Sequence, residues 1–251
     1  MDVTERFSDR VEDYDRYRPR YPPALADWLA ARGMGPRSIV ADIGAGTGIL
    51  AELFFRLGCR VTLVEPNAPM LARAQGHLAA EPRASFVRAR AEATGLAPAS
   101  VDWIGAGQAF HWFDQAAARR EFGRILRPGG AVLLVWNDHK KEPGLMAEYL
   151  ALVSSWGRDY KETSFRTRPI EAEIDAFFVG AVERAWFDNE QVLDEAGLIG
   201  RYFSSSYMPE PRDPTYGDAR RAAVELFARH QQGGTVTLRY DTRAFLGRLP
   251  T

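Results

Sequence analysis

Residues 38–50 read SIVADIGAGTGIL, and this stretch decides the fold class. Its first half is short, apolar and β-branched, as expected of a buried strand. Gly44, Gly46 and Gly48 then follow at alternate positions, and the residues after them have the apolar spacing of a helix. Glycine lets a backbone turn tightly and approach a ligand without interference from a Cβ atom. The stretch therefore predicts a strand, a glycine-rich turn and a helix, with a ligand bound at the turn.

The rest of the chain continues this alternation of strands and helices. Further strands are predicted at residues 60–64, 85–88, 101–107 and 131–136, with helices at 68–78 and 113–126. Apolar strands joined by helices indicate parallel crossover units in a sheet that is covered on both faces. Nearer the C-terminus, the pattern predicts helices at 143–156 and 214–231, a strand at 182–187 and an antiparallel edge strand at 235–240. We expect an α/β fold, with a doubly wound, Rossmann-like, mostly parallel seven-stranded sheet, an antiparallel strand near the C-terminus and a helical lid.

Composition excludes several classes of function. The chain has 251 residues, and its net charge of −1 provides no overall attraction to nucleic acid or to an anionic membrane. A single cysteine and four histidines leave little for a disulfide or a structural zinc site. The N-terminal segment is too charged for a secretory signal, and no apolar run reaches the ~18 residues of a membrane span. We expect a cytoplasmic protein, monomer or homodimer, that binds no metal and acts on a small molecule rather than on nucleic acid or a membrane.

An acidic residue follows the glycine turn at an informative distance. Glu65 ends the second predicted strand, 21 residues after Gly44 (65 − 44), where an acid accepts hydrogen bonds from the hydroxyls of a ribose. The dinucleotide fingerprint requires glycine or alanine at the place that Ile49 occupies. Asp42, just before the turn, suits a cationic ligand such as the ammonium and sulfonium of S-adenosylmethionine better than a pyrophosphate. The spacing thus favours S-adenosylmethionine over a nicotinamide dinucleotide.

The segments VADIGAGTGILA and VEPNAPML resemble the first two cofactor motifs of the class I S-adenosylmethionine-dependent methyltransferases. ARAEATGLAPASVDWIGAGQAFHWFD is similar to a small-molecule subgroup of that family, broadly the trans-aconitate-methyltransferase-like and ubiquinone-biosynthesis-like enzymes, and RILRPGGAVLLVW matches the family's turn into the fifth strand. The arm YDRYRPRYP and the later segments SSSYMPEP and TLRYDT are similar to the subgroup as well. The resemblance covers most of the chain and implies S-adenosylmethionine as cofactor, with S-adenosylhomocysteine as product.

The resemblance also implies roles for individual residues. Asp42, Gly44 and Gly46 would lie against the methionine part of the cofactor, and Glu65 would hold the ribose hydroxyls. The other cofactor-binding positions would flank the adenine or approach the methionine end: Pro66, Met70, Ala91, Glu92 and Ala109. Many family members have aspartate where this chain has Arg90. The contact to the adenine amino group would therefore come from Glu92 or from a backbone group.

Residues 108–114, QAFHWFD, contain the candidate catalytic residues. Gln108 would approach the methionine end of the cofactor. His111 is a candidate base, because an imidazole with a pKa near 6.5 can take a proton from an acceptor; the alternative is that it caps the next helix or packs beside Trp112. Three aromatic residues would form a wall of the acceptor pocket or part of the core: Phe110, Trp112 and Phe113. Placing the nucleophile in line with the methyl group already removes much of the barrier, so transfer mainly by positioning needs no strong base.

An arm precedes the first strand. Five of its residues are three or four positions apart and would share one face of a helix: Phe7, Val11, Tyr14, Arg18 and Tyr21. The stripe either docks the arm or forms a lid over a pocket, with Tyr14, Tyr17 and Arg18 as candidate substrate or lid residues. Arg18 and Arg20, beside these tyrosines, would bind a carboxylate of the cofactor or the substrate, or else form salt bridges within the arm.

We expect one methyltransferase domain over residues 1–251. It would consist of an N-terminal arm (1–37), a cofactor-binding core (38–136), and a lid insertion with closing strands (137–251). The predicted function is transfer of the methyl group of S-adenosylmethionine to a small-molecule acceptor. The alternative is a regulatory or non-catalytic module that binds S-adenosylmethionine without transferring its methyl group.

Overall fold

The computed structural model describes residues 11–157, 170–178 and 180–249. Its strands are β1 (Ile39–Ile43), β2 (Arg60–Val64), β3 (Ala84–Val87), β4 (Val101–Gly107), β5 (Leu126–His139), β6 (Val182–Leu193) and β7 (Val236–Gly247). They form one seven-stranded sheet in the order β3-β2-β1-β4-β5-β7-β6. The first five strands are parallel, and β7 is antiparallel to both of its neighbours. The predicted fold class is confirmed.

Helices cover both faces of this sheet. They are α1 (Val11–Tyr17), α2 (Pro23–Ala30), α3 (Ile49–Arg56), α4 (Ala68–His77), α5 (Gln115–Ile125), α6 (Leu145–Trp156), α7 (Ile170–Phe178), α8 (Glu195–Phe203) and α9 (Tyr216–His230). A single 3₁₀ turn (Phe110–Trp112) follows β4. Side-chain capping fixes the start of three helices: Asn67 accepts from the Met70 amide at α4, and aspartates do the same at α5 and α8.

The alternation of side chains along the central strands explains why the sheet is buried on both faces. In β5, Leu133 and Val135 join the cluster that α2 and α3 cover, whereas Val132, Leu134 and Trp136 join the cluster under α5 and α7. All five side chains have no exposed surface. A parallel strand that is covered on both faces can be apolar throughout, and this is the pattern in the sequence.

The C-terminal strands differ from the prediction in position and length. Residues 235–240 are predicted to be an edge strand, and this is wrong: β7 lies inside the sheet, between β5 and β6. The edge is β6, which runs to Leu193 rather than ending at residue 187. It lies within the segment predicted as the lid insertion with closing strands (137–251), which supplies β6 and β7 as well as helices. β5 also continues to His139, with a break in register opposite Asp102.

A third apolar cluster lies beyond the C-terminal end of β5, where α6, α8 and α9 pack on β7. Tyr149, Tyr202 and Tyr240 are buried in it. Trp156 and Tyr207 pack against its border, whereas Trp186 projects from β6 with 55% of its surface exposed. This helical layer stands beside the carboxyl ends of the strands, where ligands bind in open α/β sheets.

The arm docks against the sheet and this helical layer. α1 ends at Tyr17, before Pro19, because the residue that precedes a proline disfavours the helical conformation. The Gln191 side chain donates to the carbonyl of Tyr17 (2.9 Å), and the Asn189 side chain donates to that of Arg20 (2.8 Å). Phe7, the first residue of the predicted stripe, lies outside the described residues. The contacts hold the arm over the carboxyl ends of β1, β4 and β5.

Candidate functional site

The glycine turn between β1 and α3 forms the floor of the site. Gly44 and Gly46 have positive φ angles, +68° and +57°, which residues with a side chain rarely adopt. The Gly44 amide donates to the carbonyl of Val64 (2.8 Å), which ties the turn to the end of β2. A Cβ atom on Gly44 would lie 2.6 Å from the Cβ of Ala109, after β4. The turn thus brings the ends of three strands close to one point.

Above this floor is a cavity of about 520 Å³, a volume in the ordinary range of small-ligand sites. Most of the predicted cofactor-binding residues line it: Gly44, Gly46, Glu65, Pro66, Met70, Ala91, Glu92 and Ala109. Gln108, Trp112 and Tyr14 line it too, so residues predicted for the cofactor and for the acceptor face the same space. The structure therefore brings together side chains that are up to 98 residues apart in the chain (Trp112 to Tyr14, 112 − 14).

Glu65 is held in a fixed orientation at the end of β2. One carboxylate oxygen accepts from the amide of Gly46 (2.9 Å) and the other from the amide of Asn67 (2.9 Å). Burial raises the pKa of the carboxyl, and these two amides act in the opposite direction. A carboxylate offers about four acceptor positions. Two amides therefore leave it able to accept further hydrogen bonds from a ligand in the cavity.

Asp42 is fully buried at the end of β1, and neither of its carboxylate oxygens has a hydrogen-bond partner within the part of the chain that the structure describes. Burial, and next the nearby charge of Glu65, raise its pKa to about 8; the amide of Ala51, which lies near the carboxylate without completing a hydrogen bond of ordinary geometry, acts in the opposite direction. A buried polar group without a partner is costly unless a ligand pairs with it. This site is therefore suited to a cationic or hydrogen-bond-donating group.

A smaller cavity of about 40 Å³ adjoins the first one and contains Asp42. Tyr14, Gly44, Gly46 and Gln108 line both cavities. The arm closes the small one with Arg18, Pro19 and Tyr21, and Asn137 at the end of β5 completes its wall. The predicted participation of Tyr14 and Arg18 in a lid is consistent with this position.

Gln108 has a strained backbone, because its φ of +56° lies in the left-handed region although it is not glycine. Its amide donates to the carbonyl of Val135 (2.9 Å), and its side chain donates to the carbonyl of Asn137 (3.3 Å). Both contacts tie the end of β4 to β5. Strain of this kind often marks a functional site, and Gln108 lies between the two cavities.

Three predicted site residues lie outside the walls of these cavities. Phe110 is fully buried among Trp136, Phe113 and Phe177, so it belongs to the core. His111 is half-buried with its ring 4.8 Å from that of Trp112, and it is not one of the residues that line either cavity.

Tyr17 is the third. It packs its ring against the place where Gly200 of α8 has no side chain, so it anchors the arm rather than facing the cavity.

The 3₁₀ turn explains the separation of Phe110 from Trp112, because successive residues there point about 120° apart.

Glu92 lies at the cavity rim, where one of its carboxylate oxygens accepts from the amide of Asp114 (2.9 Å). Met70 and Ala91 are buried, and Pro66 is half-buried. Arg90, the residue that departs from the family pattern, is exposed beside them. These side chains form a largely apolar slot with polar groups at its edge, the arrangement that suits a flat heterocycle.

Sequence reasoning missed Asn137, whereas Phe113 was a candidate for the pocket wall. Asn137 is buried, and its side-chain oxygen accepts from the side chains of Asn189 and Thr242. Its side-chain nitrogen donates to the carbonyls of Pro19 and Arg20, each at 3.4 Å. A polar residue directly after the apolar run of β5 is the signal that could have identified it. Phe113 lines the larger cavity, next to Trp112.

In the described ranges, no helix has the length and apolarity needed to cross a membrane. Those ranges also contain no group of three or more His, Cys, Asp or Glu side chains arranged to hold a metal ion.

The known proteins to which this chain is similar are methyltransferases. Residues 41–134 match a family described as a methyltransferase domain. The chain is 38% identical over 161 residues to an uncharacterised methyltransferase of Mycobacterium tuberculosis, a match that covers 63% of this chain and 61% of that protein. It is 31% identical over 131 residues to the malonyl-[acyl-carrier protein] O-methyltransferase of Pseudescherichia vulneris, and this match covers 52% of this chain and 51% of that protein. These matches span less than two thirds of the curated relatives' own length.

Solved structures agree over nearly the whole chain. A proposed type II methyltransferase of Anaeromyxobacter dehalogenans superimposes with a TM-score of 0.63 and 26% identity, covering 94% of this chain and 100% of that one. A proposed methyltransferase from an antibiotic biosynthesis pathway of Anabaena variabilis has a TM-score of 0.64 at 19% identity, covering 93% and 99%, and so supports the fold alone. With the sheet order and the glycine turn, these matches show the fold of the class I methyltransferases, with similarity to a methyltransferase domain over residues 41–134.

Proposed function

We propose that the protein transfers the methyl group of S-adenosylmethionine to a small-molecule acceptor. The observation that carries the proposal is Asp42, a buried carboxyl without a hydrogen-bond partner in the described chain, next to a glycine turn that a single Cβ atom would obstruct. Such an arrangement has no structural purpose of its own, because it leaves a polar group buried and unpaired. It fits a ligand that brings a cation to this point.

The residues present fit the cofactor from end to end. Asp42 and the glycine turn would hold its ammonium end, since an anion in a buried site pairs strongly with a cation. Glu65 would accept hydrogen bonds from the ribose hydroxyls with the acceptor positions that the amides of Gly46 and Asn67 leave available. The adenine would lie in the slot lined by Pro66, Met70 and Ala91, with Glu92 at its edge.

When bound, S-adenosylmethionine supplies an electrophilic methyl group on a positively charged sulfur. Tyr14, Gln108 and Trp112 line the cavity around the place that this sulfur would take. The aromatic faces of Tyr14 and Trp112 would stabilise the nearby positive charge by cation–π attraction. Gln108, rigidly tied to β5 by two hydrogen bonds, would set the direction from which an acceptor approaches.

We propose that the chain acts mainly by positioning the acceptor. Alignment of reacting groups can account for about 7–11 kcal/mol of a barrier. The proposed role of His111 as base requires the acceptor to reach a ring that lies beside the wall of the larger cavity rather than in it. His111→Ala therefore separates the two mechanisms: positioning alone predicts that methyl transfer persists, and base catalysis predicts a loss of about 10²-fold or more.

A small-molecule acceptor fits the size of the cavity over the glycine turn, about 520 Å³, and the net charge of −1. A nucleic acid would need a basic surface that attracts its phosphates, and a chain with 32 Lys+Arg and 33 Asp+Glu has no excess of positive charge.

The proposal is tested by incubating the full chain with S-adenosylmethionine that carries a labelled methyl group and with a filtered extract of small metabolites. We expect label in a new small-molecule product, with a parallel incubation of purified RNA and DNA remaining unlabelled. Binding of the cofactor without any labelled product from the extract would contradict methyl transfer and favour the non-catalytic alternative. Label in the nucleic acid would contradict the small-molecule acceptor.

A further inference from the structure

In the described chain, β6 forms one edge of the sheet, and it is long for an edge strand. It has 12 residues, whereas β3 at the opposite edge has 4. Short length, proline, lysine or a bulge commonly protects an edge strand from pairing with another chain. The sequence of β6, VERAWFDNEQVL, contains neither proline nor lysine, and its register with β7 is continuous from Val182 to Leu193. β6 therefore lacks these protective features.

The even-numbered residues of β6 direct their backbone N–H and C=O groups to the outer side, because hydrogen-bonded and non-hydrogen-bonded pairs alternate along an antiparallel ladder. Opposite Glu190, the carbonyl of Arg239 in β7 accepts from the amide of Lys140, on the β5 side (2.9 Å). The amide of Glu190 donates instead to the side chain of Asn189 (3.0 Å). The carbonyl of Val182 likewise accepts from a side chain of its own strand (3.2 Å). The outer side of β6 thus presents a row of backbone donors and acceptors.

The side chains of the same even-numbered residues lie on the solvent-facing side of the strand. Trp186 and Val192 have 55% and 60% of their surfaces exposed, and they are the exposed large apolar side chains of the described ranges. Arg184, Asp188 and Glu190 are exposed on the same side. This side of β6 therefore combines apolar groups with charges of both signs.

This pattern is complementary to itself when a second copy of the strand runs antiparallel. A two-fold axis perpendicular to the sheet has to pass between a residue and its own copy, because directly opposite residues of antiparallel strands point to the same face. An axis at Phe187 places Arg184 opposite Glu190 of the second copy, and Val182 opposite Val192. Opposite charges and apolar groups that face each other in this way stabilise a strand pair.

The axis at Phe187 is also the one that pairs every outward-facing residue of β6 with another. An axis at Trp186 would leave Val192 beyond the end of the partner strand, and an axis at Asp188 would place that carboxylate opposite its own copy. With the axis at Phe187, the two copies of Trp186 are diagonal neighbours, about 7–8 Å apart along the backbone, which is within reach of aromatic side chains. The register thus buries the exposed indole against its own copy.

The ion pair that Arg184 forms within its own chain does not prevent this pairing. Arg184 is bound to Asp175 of α7, which is itself 56% exposed. A guanidinium has five donors, so one carboxylate leaves donors available for a second. Exposed ion pairs contribute little free energy, and charges at an interface mainly set its register and exclude wrong partners.

We propose that the outer edge of β6 binds β6 of a second copy of this chain, antiparallel and about a two-fold axis at Phe187, so that two seven-stranded sheets join into one. A foreign extended segment could also pair with the edge, but the self-complementary positions of Arg184 and Glu190 favour a second copy. No residue of β6 lines either cavity at the glycine turn, so the proposal stands independently of the proposed function.

The first test measures the mass of the full chain in solution by analytical ultracentrifugation. Samples loaded between about 1 μM and about 1 mM cover weak and strong association. We expect a concentration-dependent species with twice the 28.1 kDa of one chain. Monomer alone over this whole range would overturn the proposal. A species that keeps growing beyond two chains would overturn it as well, because pairing about a two-fold axis is closed.

The second test exchanges the charges that the register places opposite each other. Arg184→Glu and Glu190→Arg each create a like-charge pair twice in the dimer, so we expect each variant to raise the dissociation constant of the dimer by about tenfold or more. The double variant, which carries both changes, should restore the wild-type value because the charges are opposite again. Arg220→Glu, at an exposed position of α9, is the matched control and should dimerise as the wild type does.

A dimer that neither single variant weakens would overturn the proposed interface. A double variant as weak as the single ones would overturn the pairing of Arg184 with Glu190 and therefore the register.

A third variant, Trp186→Pro, blocks the edge itself. The amide of Trp186 faces outward, so proline at this position removes a donor from the interface and none from the ladder with β7. We expect a folded monomer, with folding checked by circular dichroism. A dimer that persists in the folded proline variant would contradict the proposal. If the proline variant does not fold, the charge exchange decides, because it alters only exposed side chains.

Discussion

Replacement of Glu65 by glutamine tests the proposed ribose contact. The two backbone amides that bind Glu65, at 2.9 Å each, hold the carboxylate in the cavity before any ligand arrives. Glutamine keeps the size of the side chain but loses the charge and one acceptor oxygen. Its NH₂ group would then face one of the two amides, donor against donor. We therefore expect Glu65→Gln to weaken cofactor binding without altering the shape of the cavity.

The magnitude follows from the hydrogen bonds that are lost. A hydrogen bond to a charged group contributes about 1.5–3 kcal/mol, against about 0.5–1.5 kcal/mol for a neutral one. Two ribose hydroxyls that lose a charged acceptor thus reduce the binding free energy by about 2–4 kcal/mol, which corresponds to a roughly 30- to 1,000-fold higher Kd.

Isothermal calorimetry with S-adenosylhomocysteine measures this change directly. Glu225→Gln is the matched control, because Glu225 is exposed on α9, far along the chain from the turn. It should bind as the wild type does. A folded Glu65→Gln variant with wild-type affinity would refute the assigned role of Glu65, and an equal loss in Glu225→Gln would show that the effect is not specific to the site.

Three further perturbations follow from the geometry. Burial raises the pKa of Asp42 from its ordinary value of 3.8 to about 8, so the folded state binds an extra proton between these values and stability falls as pH rises through this window. Asp42→Asn should flatten this dependence in urea unfolding at a series of pH values, and an unchanged slope would contradict the burial argument. Gly44→Ala places a Cβ 2.6 Å from the Cβ of Ala109 at a φ of +68°. It should cost about 2–4 kcal/mol of stability and abolish S-adenosylhomocysteine binding. Gly123→Ala is the control, because the space around Gly123 is open, and it should be neutral or slightly stabilising. Asn137→Leu leaves the buried hydrogen-bond partners of Asn137 unsatisfied and should lower the free energy of unfolding by about 2–4 kcal/mol. It should also make the arm more susceptible to limited proteolysis. Cleavage of the arm at the wild-type rate would contradict the anchoring role of Asn137.

The parts of the site that local sequence determines could be predicted. The glycine turn is local, because the positive φ angles of Gly44 and Gly46 require glycine and the strand before them is a short apolar run. Glu65 could be placed because β2 ends where its apolar run ends. The cavity-lining positions after β3 and β4 followed from the same rule, that ligands bind at the carboxyl ends of parallel strands.

Features that depend on distant pairing could not be predicted in this way. The alternation of residues 235–240 indicates a strand with two different faces, but it does not say which strands lie beside it. β7 is interior because β6 continues for twelve residues alongside it. The strands beside β7 are determined by long-range pairing, and the periodicity of the sequence carries no information about that pairing.

The same limitation explains the residues of the site that were misplaced or missed. Phe110 and Trp112 are two positions apart, and only the 3₁₀ turn determines that Trp112 lines the cavity and Phe110 lies in the core. Asn137 belongs to no motif, and its hydrogen bonds to the carbonyls of Pro19 and Arg20 form only when the arm docks against β5. Contacts of this kind are visible only after the chain has folded.

The central claim, that the cavity over the glycine turn binds S-adenosylmethionine, is tested most directly by calorimetric titration of the folded full chain. The account predicts saturable binding of S-adenosylmethionine and of S-adenosylhomocysteine, and no binding of NAD under the same conditions. Absence of binding for both S-adenosyl compounds, or binding of NAD in their place, would contradict it.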